Sequence, residues 1–394
     1  MVLISKTLFL CMLLPLFLAG QSYRKIHQRA MVIDTHNDFL NQSVEKGVRF
    51  DQHLKGITHS DLKRMKEAGI DVQVFSIWSD GTFTAGKGYA RANREIDSLY
   101  ACTERNAASM MITKSPADIK KAVKQKKLAV MMGVEGGHMI EDNLLYLDRL
   151  FERGVRYMTL TWNNSTSWAS SAQDETRNTV PNSKKGLTAL GEKIVQRMNE
   201  LGMIIDISHV GEQTFWDALS ITTKPVIASH SCVHTLCPVS RNLKDEQIKA
   251  IAKNGGVIHL NFFSGFLDSS FARRNTAFLT AHQRERDSLK AINPEPYFTE
   301  EYLFAKYPDE VKSLRPPLSM LLDHLDYIVN LAGIDHVGLG SDFDGISSSP
   351  QQLEDVTGFP MITKALLERG YSKKAIRKIL GENFMRVFRT NSKK

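Results

Sequence analysis

Imidazoles and carboxylates recur in this chain just beyond short apolar runs, a placement that suits metal-assisted chemistry. His36 and Asp38 stand in Asp34-Thr35-His36-Asn37-Asp38, Glu135 in Gly133-Val134-Glu135-Gly136-Gly137, and His209 in Asp206-Ile207-Ser208-His209. His230 lies in Ala228-Ser229-His230-Ser231, and Asp342 in Gly340-Ser341-Asp342-Phe343-Asp344-Gly345. Isolated buried charges are costly, so such a cluster needs a compensating partner, and a divalent cation is the natural one. Three histidines with carboxylates and no thiolate suit zinc or a similar metal. A single catalytic zinc takes three protein ligands and keeps one position open. Five candidate ligands, with Asp342 besides, favour two ions and a carboxylate between them. Each histidine alone reads equally well as a satisfied core residue. The argument rests on all three falling beyond strand ends.

Eight apolar, β-branched runs must position these groups: 31–35, 72–78, 128–134, 156–161, 203–208, 225–229, 256–261 and 336–340. Their hydrophobicity is continuous rather than alternating, which a strand buried on both faces requires. Helical patterns separate several of them. Leu187, Leu190, Ile194, Met198 and Leu201 share one face before Gly202, and Leu318, Leu321, Leu322, Leu325 and Ile328 share another between Pro317 and Gly333. The pattern predicts an α/β fold, a (β/α)8 TIM-like barrel whose catalytic groups gather at the carboxyl ends of its strands. Residues 265–315 form a long polar insertion after the seventh strand, of a length associated with lids and other functional loops.

The first twenty residues read as a signal peptide: Lys6, an apolar run from Thr7 to Leu18, then Ala19 and Gly20. Residues 21–394 are then one exported catalytic domain, periplasmic or secreted, a retained N-terminal membrane anchor being the weaker alternative, with no later apolar run long enough to span a bilayer. The net charge of +8 owes much to Lys120, Lys121, Lys124, Lys126 and Lys127 and to the Lys393–Lys394 tail. These clusters lack interleaved aromatics, so they read as solvated faces and not as a nucleic-acid surface. Cys102, Cys232 and Cys237 remain after leader removal, an odd number that leaves at least one thiol unpaired within the chain.

The ordered set of motifs resembles the membrane (renal-type) dipeptidases, zinc enzymes of the amidohydrolase-like barrel group. The resemblance extends through Val155-Arg156-Tyr157-Met158-Thr159-Leu160-Thr161, Ser240-Arg241-Asn242-Leu243 and Gly381-Glu382-Asn383-Phe384-Met385-Arg386, and so over nearly all of the mature chain. It implies two zinc ions per subunit, His36 and Asp38 on one, His209 and His230 on the other, with Glu135 bridging. It also implies that Asp342 handles protons, that Arg241 holds the free carboxylate of a dipeptide, and that homodimers are common among relatives. The implied reaction is hydrolysis of the peptide bond by a hydroxide shared between the ions. One position departs: Trp162, in Thr161-Trp162-Asn163-Asn164, stands where mammalian members carry a histidine thought to steady the substrate carbonyl. Either zinc and a neighbour such as Asn163 take over that role, or the substrate set differs. The same machinery would serve N-acyl amino acids, D-residue dipeptides or β-lactams, and a zinc-binding protein without catalysis is the remaining alternative.

Overall fold

Eight of the nine strands of one parallel sheet run in the order β1-β2-β4-β5-β6-β7-β8-β9. They are β1 (Ile33–Asp34), β2 (Val72–Trp78), β4 (Leu128–Glu135), β5 (Val155–Thr159), β6 (Ile204–Asp206), β7 (Ile227–Ala228), β8 (Val257–Leu260) and β9 (Val337–Leu339). The computed structural model describes residues 23–81, 86–293 and 296–393, so the expected leader lies outside the described residues. The sheet curls until its ends meet. Thr35 N donates to Leu339 O at 3.2 Å, Asp342 N to His36 O at 3.1 Å and Asp38 N to Phe343 O at 2.9 Å. The expected (β/α)8 barrel is therefore present, and its seam closes among the ligand candidates.

Each predicted run overlaps one of these eight strands; most strands are shorter than their runs, and β4 and β5 each reach one residue beyond, to Glu135 and back to Val155. A further strand, β3 (Met110–Ile112), pairs with β4 outside the barrel path. Its three residues are too few to stand out as an apolar run. The two patterned helices form as Ala189–Leu201 and Leu318–Ala332. Thr188 caps the first through Gly191 N, and Gly202 ends it at a φ of 83°, which suits glycine.

Residues alternate between the barrel interior and the helix-facing side. On β4, Val130, Met132 and Val134 pack outward with the helices, while Ala129 and Met131 join Ile33, Val72, Val74, Tyr157, Ile204, Ile227 and Val257 inside. The C-terminal helix Asn383–Asn391 closes the amino-end floor with Phe384, Met385, Val387 and Phe388. Gly133 occupies the next inward position because a Cβ there would lie 2.1 Å from the Tyr157 ring. Glu135 follows at the mouth.

The insertion is not an irregular loop. It folds into helices Ser264–Leu267, Phe271–Ala281, Gln283–Ile292, Pro296–Lys306 and Pro308–Leu314. Phe271, Phe278, Leu289, Leu303, Phe304, Val311 and Leu314 give it a core separate from that of the barrel. Widely spaced apolar residues in a polar stretch concealed that core. Cys102, Cys232 and Cys237 are all buried free thiols.

Candidate metal centre

Every one of the six ligand-type residues named from the sequence arrives at this mouth. Glu135 stands at the centre with its two oxygens facing opposite ways. Oε1 lies 2.9 Å from His209 Nε2 and 3.4 Å from His230 Nε2, while Oε2 lies 3.3 Å from His36 Nε2. Asp38 Oδ2 is 3.6 Å and Asp342 Oδ1 4.0 Å from that same His36 nitrogen. Ligand atoms of His36, Asp38 and Glu135 lie within 4.8 Å of one another, as do those of Glu135, His209 and His230. A carboxylate shared between two such groups has the layout of a bridge.

The imidazoles are held from behind. His36 Nδ1 meets Tyr157 Oη at 2.9 Å, and that hydroxyl donates onward to Thr35 O at 3.0 Å. His230 Nδ1 meets Ser229 Oγ at 2.8 Å, and that hydroxyl donates to Asp206 Oδ2 at 2.6 Å. His209 Nδ1 meets Asn163 Oδ1 at 3.0 Å. Both hydroxyls have already used their proton, and a carboxamide oxygen has none. Each Nδ1 is therefore the donor, and each Nε2 lone pair points into the mouth.

Burial and the nearby Arg241 charge push His209 down to about 4, and burial with the His36 charge pushes His230 well below the ordinary histidine value. Both favour the neutral imidazole that a metal takes. Burial would raise Glu135, but positive charge at His36 and the imidazoles gathered around it hold it well below the carboxylate range, as a cation there would. Asp342 is driven well above that range by burial and then by the Asp38 charge. Two neutral imidazole nitrogens, His209 Nε2 and His230 Nε2, face each other at 2.9 Å. His36 Nε2 and Asp38 Oδ1 are buried without a hydrogen-bond partner. A cation satisfies all of these at once, so the residues present fit the metal that their types suggest.

The backbone is shaped to the same end. His209 and Asp342 adopt φ of 63° and 61°, a left-handed conformation that costs a non-glycine residue on the order of 1–3 kcal/mol and concentrates at functional sites. Gly345 leaves space that a side chain would fill, since its Cβ would sit 2.1 Å from Asp38 Oδ2 and 2.8 Å from Asp342 Oδ1.

The other three named residues line the rim. Arg241 is buried to 9 % exposure; Nη2 donates to His230 O at 3.1 Å and Nη1 to Ser231 Oγ at 3.5 Å, and Nε has no partner. No carboxylate pairs with it among the described residues. Trp162 is half-buried, edge-on to Trp78 with ring centres 5.1 Å apart and 6.5 Å from the His209 ring. Asn163 stands behind His209 by the contact already given. Tyr157 and Asn261 were not singled out from the sequence. Asn261, which donates to Asp342 Oδ2 at 2.7 Å, closes the predicted run 256–261 and obeys the same strand-end rule as the others.

A family model described as membrane dipeptidase (peptidase family M19) matches residues 21–394. A protein of Schizosaccharomyces pombe, named an uncharacterized dipeptidase, is 30% identical over 390 residues, covering 94% of this chain and 83% of its own. Among solved structures, the probable dipeptidase PvdM of Pseudomonas aeruginosa is 25% identical with a TM-score of 0.75, covering 95% of this chain and 98% of its own. A metallo peptidase of Rhodobacter sphaeroides, liganded with a phosphinate mimic of the dipeptide L-Ala-D-Ala, is 25% identical with a TM-score of 0.73, covering 92% and 99%.

Proposed function

The chain belongs to the membrane dipeptidase family, peptidase family M19, and from that premise we propose that it is an exported dipeptidase working with two zinc ions. Residues 21–394 would be its single catalytic domain. The observation that carries the reading is the convergence of three imidazole Nε2 atoms on the two oxygens of one carboxylate. His36 and Asp38 would hold one ion, His209 and His230 the other, and Glu135 both. When bound, the ions would supply Lewis acidity that lowers the pKa of a water and polarises the scissile carbonyl. Asp342, the most exposed acid of the cluster at 14 % of its side chain, accepts the water proton on Oδ1 and returns it to the leaving amine. Arg241 pairs with no carboxylate among the described residues, and its planar fork suits the free carboxylate of a short substrate. Trp162 and Trp78 wall the mouth and keep water from one side of the bound peptide. Export agrees with the leader-type sequence of residues 1–20, and no helix among the described residues is long and apolar enough to cross a membrane.

Zinc content and dipeptide hydrolysis of Asp342→Asn test the proton role. The variant should keep its zinc and lose turnover by about a hundredfold or more. Full zinc with undiminished turnover rules the role out. A second reading, preference for a D-configured second residue, is favoured by the mimic bound in the Rhodobacter relative. Rates on L-Ala-L-Ala, L-Ala-D-Ala and N-acetyl-L-Ala separate the two. Turnover of the acylated substrate alone would remove the dipeptidase reading.

A further inference from the structure

Two buried carboxylates that are not among the candidate ligands make matching sets of hydrogen bonds at opposite sides of the mouth. Asp34, the last residue of β1, accepts from Ser341 N at 2.7 Å and Ser341 Oγ at 2.6 Å, and from His36 N at 3.4 Å. Asp206, the last residue of β6, accepts from Ser229 N at 2.9 Å and Ser229 Oγ at 2.6 Å, and from Ser208 N at 3.0 Å. Both side chains are fully buried. In each case one carboxylate ties the backbone two residues ahead on its own strand end to the amide and hydroxyl of a serine on a neighbouring strand end. Asp34 so joins the segment of His36 and Asp38 to that of Asp342. Asp206 joins the segments of His209 and His230.

We propose that Asp34 and Asp206 are paired positioning residues, each setting the ligand geometry of one cation of the centre. The inference rests on the two-ion reading given above. The two clamps differ in one respect. Ser229 Oγ gives its proton to Asp206 and accepts from His230 Nδ1, so Asp206 also sets the tautomer of a ligand. Thr159 Oγ1 donates to the same Asp206 oxygen at 2.5 Å and steadies it. On the other side the His36 tautomer is set by Tyr157, and Asp34 acts through the backbone and Ser341. Losing the Ser229 hydroxyl therefore frees the His230 ring to present a proton instead of a lone pair, while the Asp206 carboxylate still holds both strand ends through their amides.

Zinc titration of the metal-stripped full chain, with X-ray absorption on the singly loaded forms, tests this. Ser229→Ala should bind one ion as wild type does and the other about 10–100-fold more weakly, the range for lost outer-shell partners. The ion retained should show a single imidazole, that of His36. Asp34→Asn should give the converse, an ion retained on two imidazoles. Ser229→Thr, which restores the hydroxyl, should recover the second ion. Ser229→Ala binding both ions as wild type does, or weakening both equally, overturns the inference. A wild-type chain that takes up fewer than two ions overturns the two-ion reading itself, and this inference with it.

Discussion

The two ends of the barrel are built from the same alternating strands and reach opposite solutions to burial. Near the floor the inward positions carry Ile33, Val72, Ala129, Met131, Ile204, Ile227 and Val257, sealed by Phe384 and Phe388. At the mouth, the same inward row on β4 passes through Gly133 to Glu135. Burying apolar area stabilises the floor unaided, at about 25 cal/mol per Å². The buried acids and imidazoles of the mouth do the reverse unless a cation joins them. Folding stability and metal chemistry are thus set by different layers of one interior, a few residues apart along each strand.

The sharpest break of that contrast is Glu135→Gln. It removes the group common to both halves of the centre and should cost turnover more than about a hundredfold, since loss of an outer-shell partner alone costs about that much. Elemental analysis should find the zinc gone or halved. Thermal melting of the metal-free protein should fall only modestly, because the mouth loses a carboxylate that the neighbouring imidazoles hold in its charged form while the floor is untouched. A metal-free variant that melts far below the metal-free wild type would show that the two layers are not separable.

Phe388→Ala tests the other end. Phe388 is fully buried, and truncating such a ring costs about 3–5 kcal/mol. Urea unfolding should show that loss, while zinc per folded chain and turnover per folded chain stay at wild-type levels. Loss of zinc from the folded fraction would mean that the floor sets the mouth's geometry.

The same contrast separates what the sequence makes legible from what it does not. Strands buried on both faces are written as continuous apolar runs, and a polar residue ending such a run has few bland explanations. Hence the eight barrel strands and the six residues from His36 to Asp342 were readable in advance. Tyr157 was not, because its ring fills the barrel as any core residue does and only its hydroxyl reaches His36. The clamping by Asp34 and Asp206 was hidden for a related reason: Ser341 lies 307 positions from Asp34, and no local pattern records that pairing. The helical insertion escaped because its apolar residues are too sparse to announce a core, and β3 because a three-residue strand leaves no period to detect.

The smallest effect concerns a histidine of the lower barrel, and it sharpens the comparison by placing one residue type in the opposite environment. The mouth imidazoles face carboxylates. His259, on β8, has only Ala228 O at 3.0 Å on Nδ1, no partner on Nε2, and the Phe384 ring 5.7 Å away. Burial pushes its pKa down from 6.5 to about 4. The sign follows from proton counts. Between those values the unfolded chain binds a proton at this position and the folded chain does not, so stability rises with pH across the window. The contribution is fully present above about 6.5 and is lost as pH falls toward 4, amounting to about 3 kcal/mol at 1.36 kcal/mol per unit. The mouth histidines titrate as well, so the test is a difference: urea stability of wild type and His259→Gln at pH 7 and pH 4.5. The gap between the two proteins should shift by about 2–3 kcal/mol in favour of the variant at the lower pH, because glutamine has no proton to bind. A gap that does not move with pH would mean that His259 is already satisfied when charged, and that the floor tolerates what the contrast says only the mouth can.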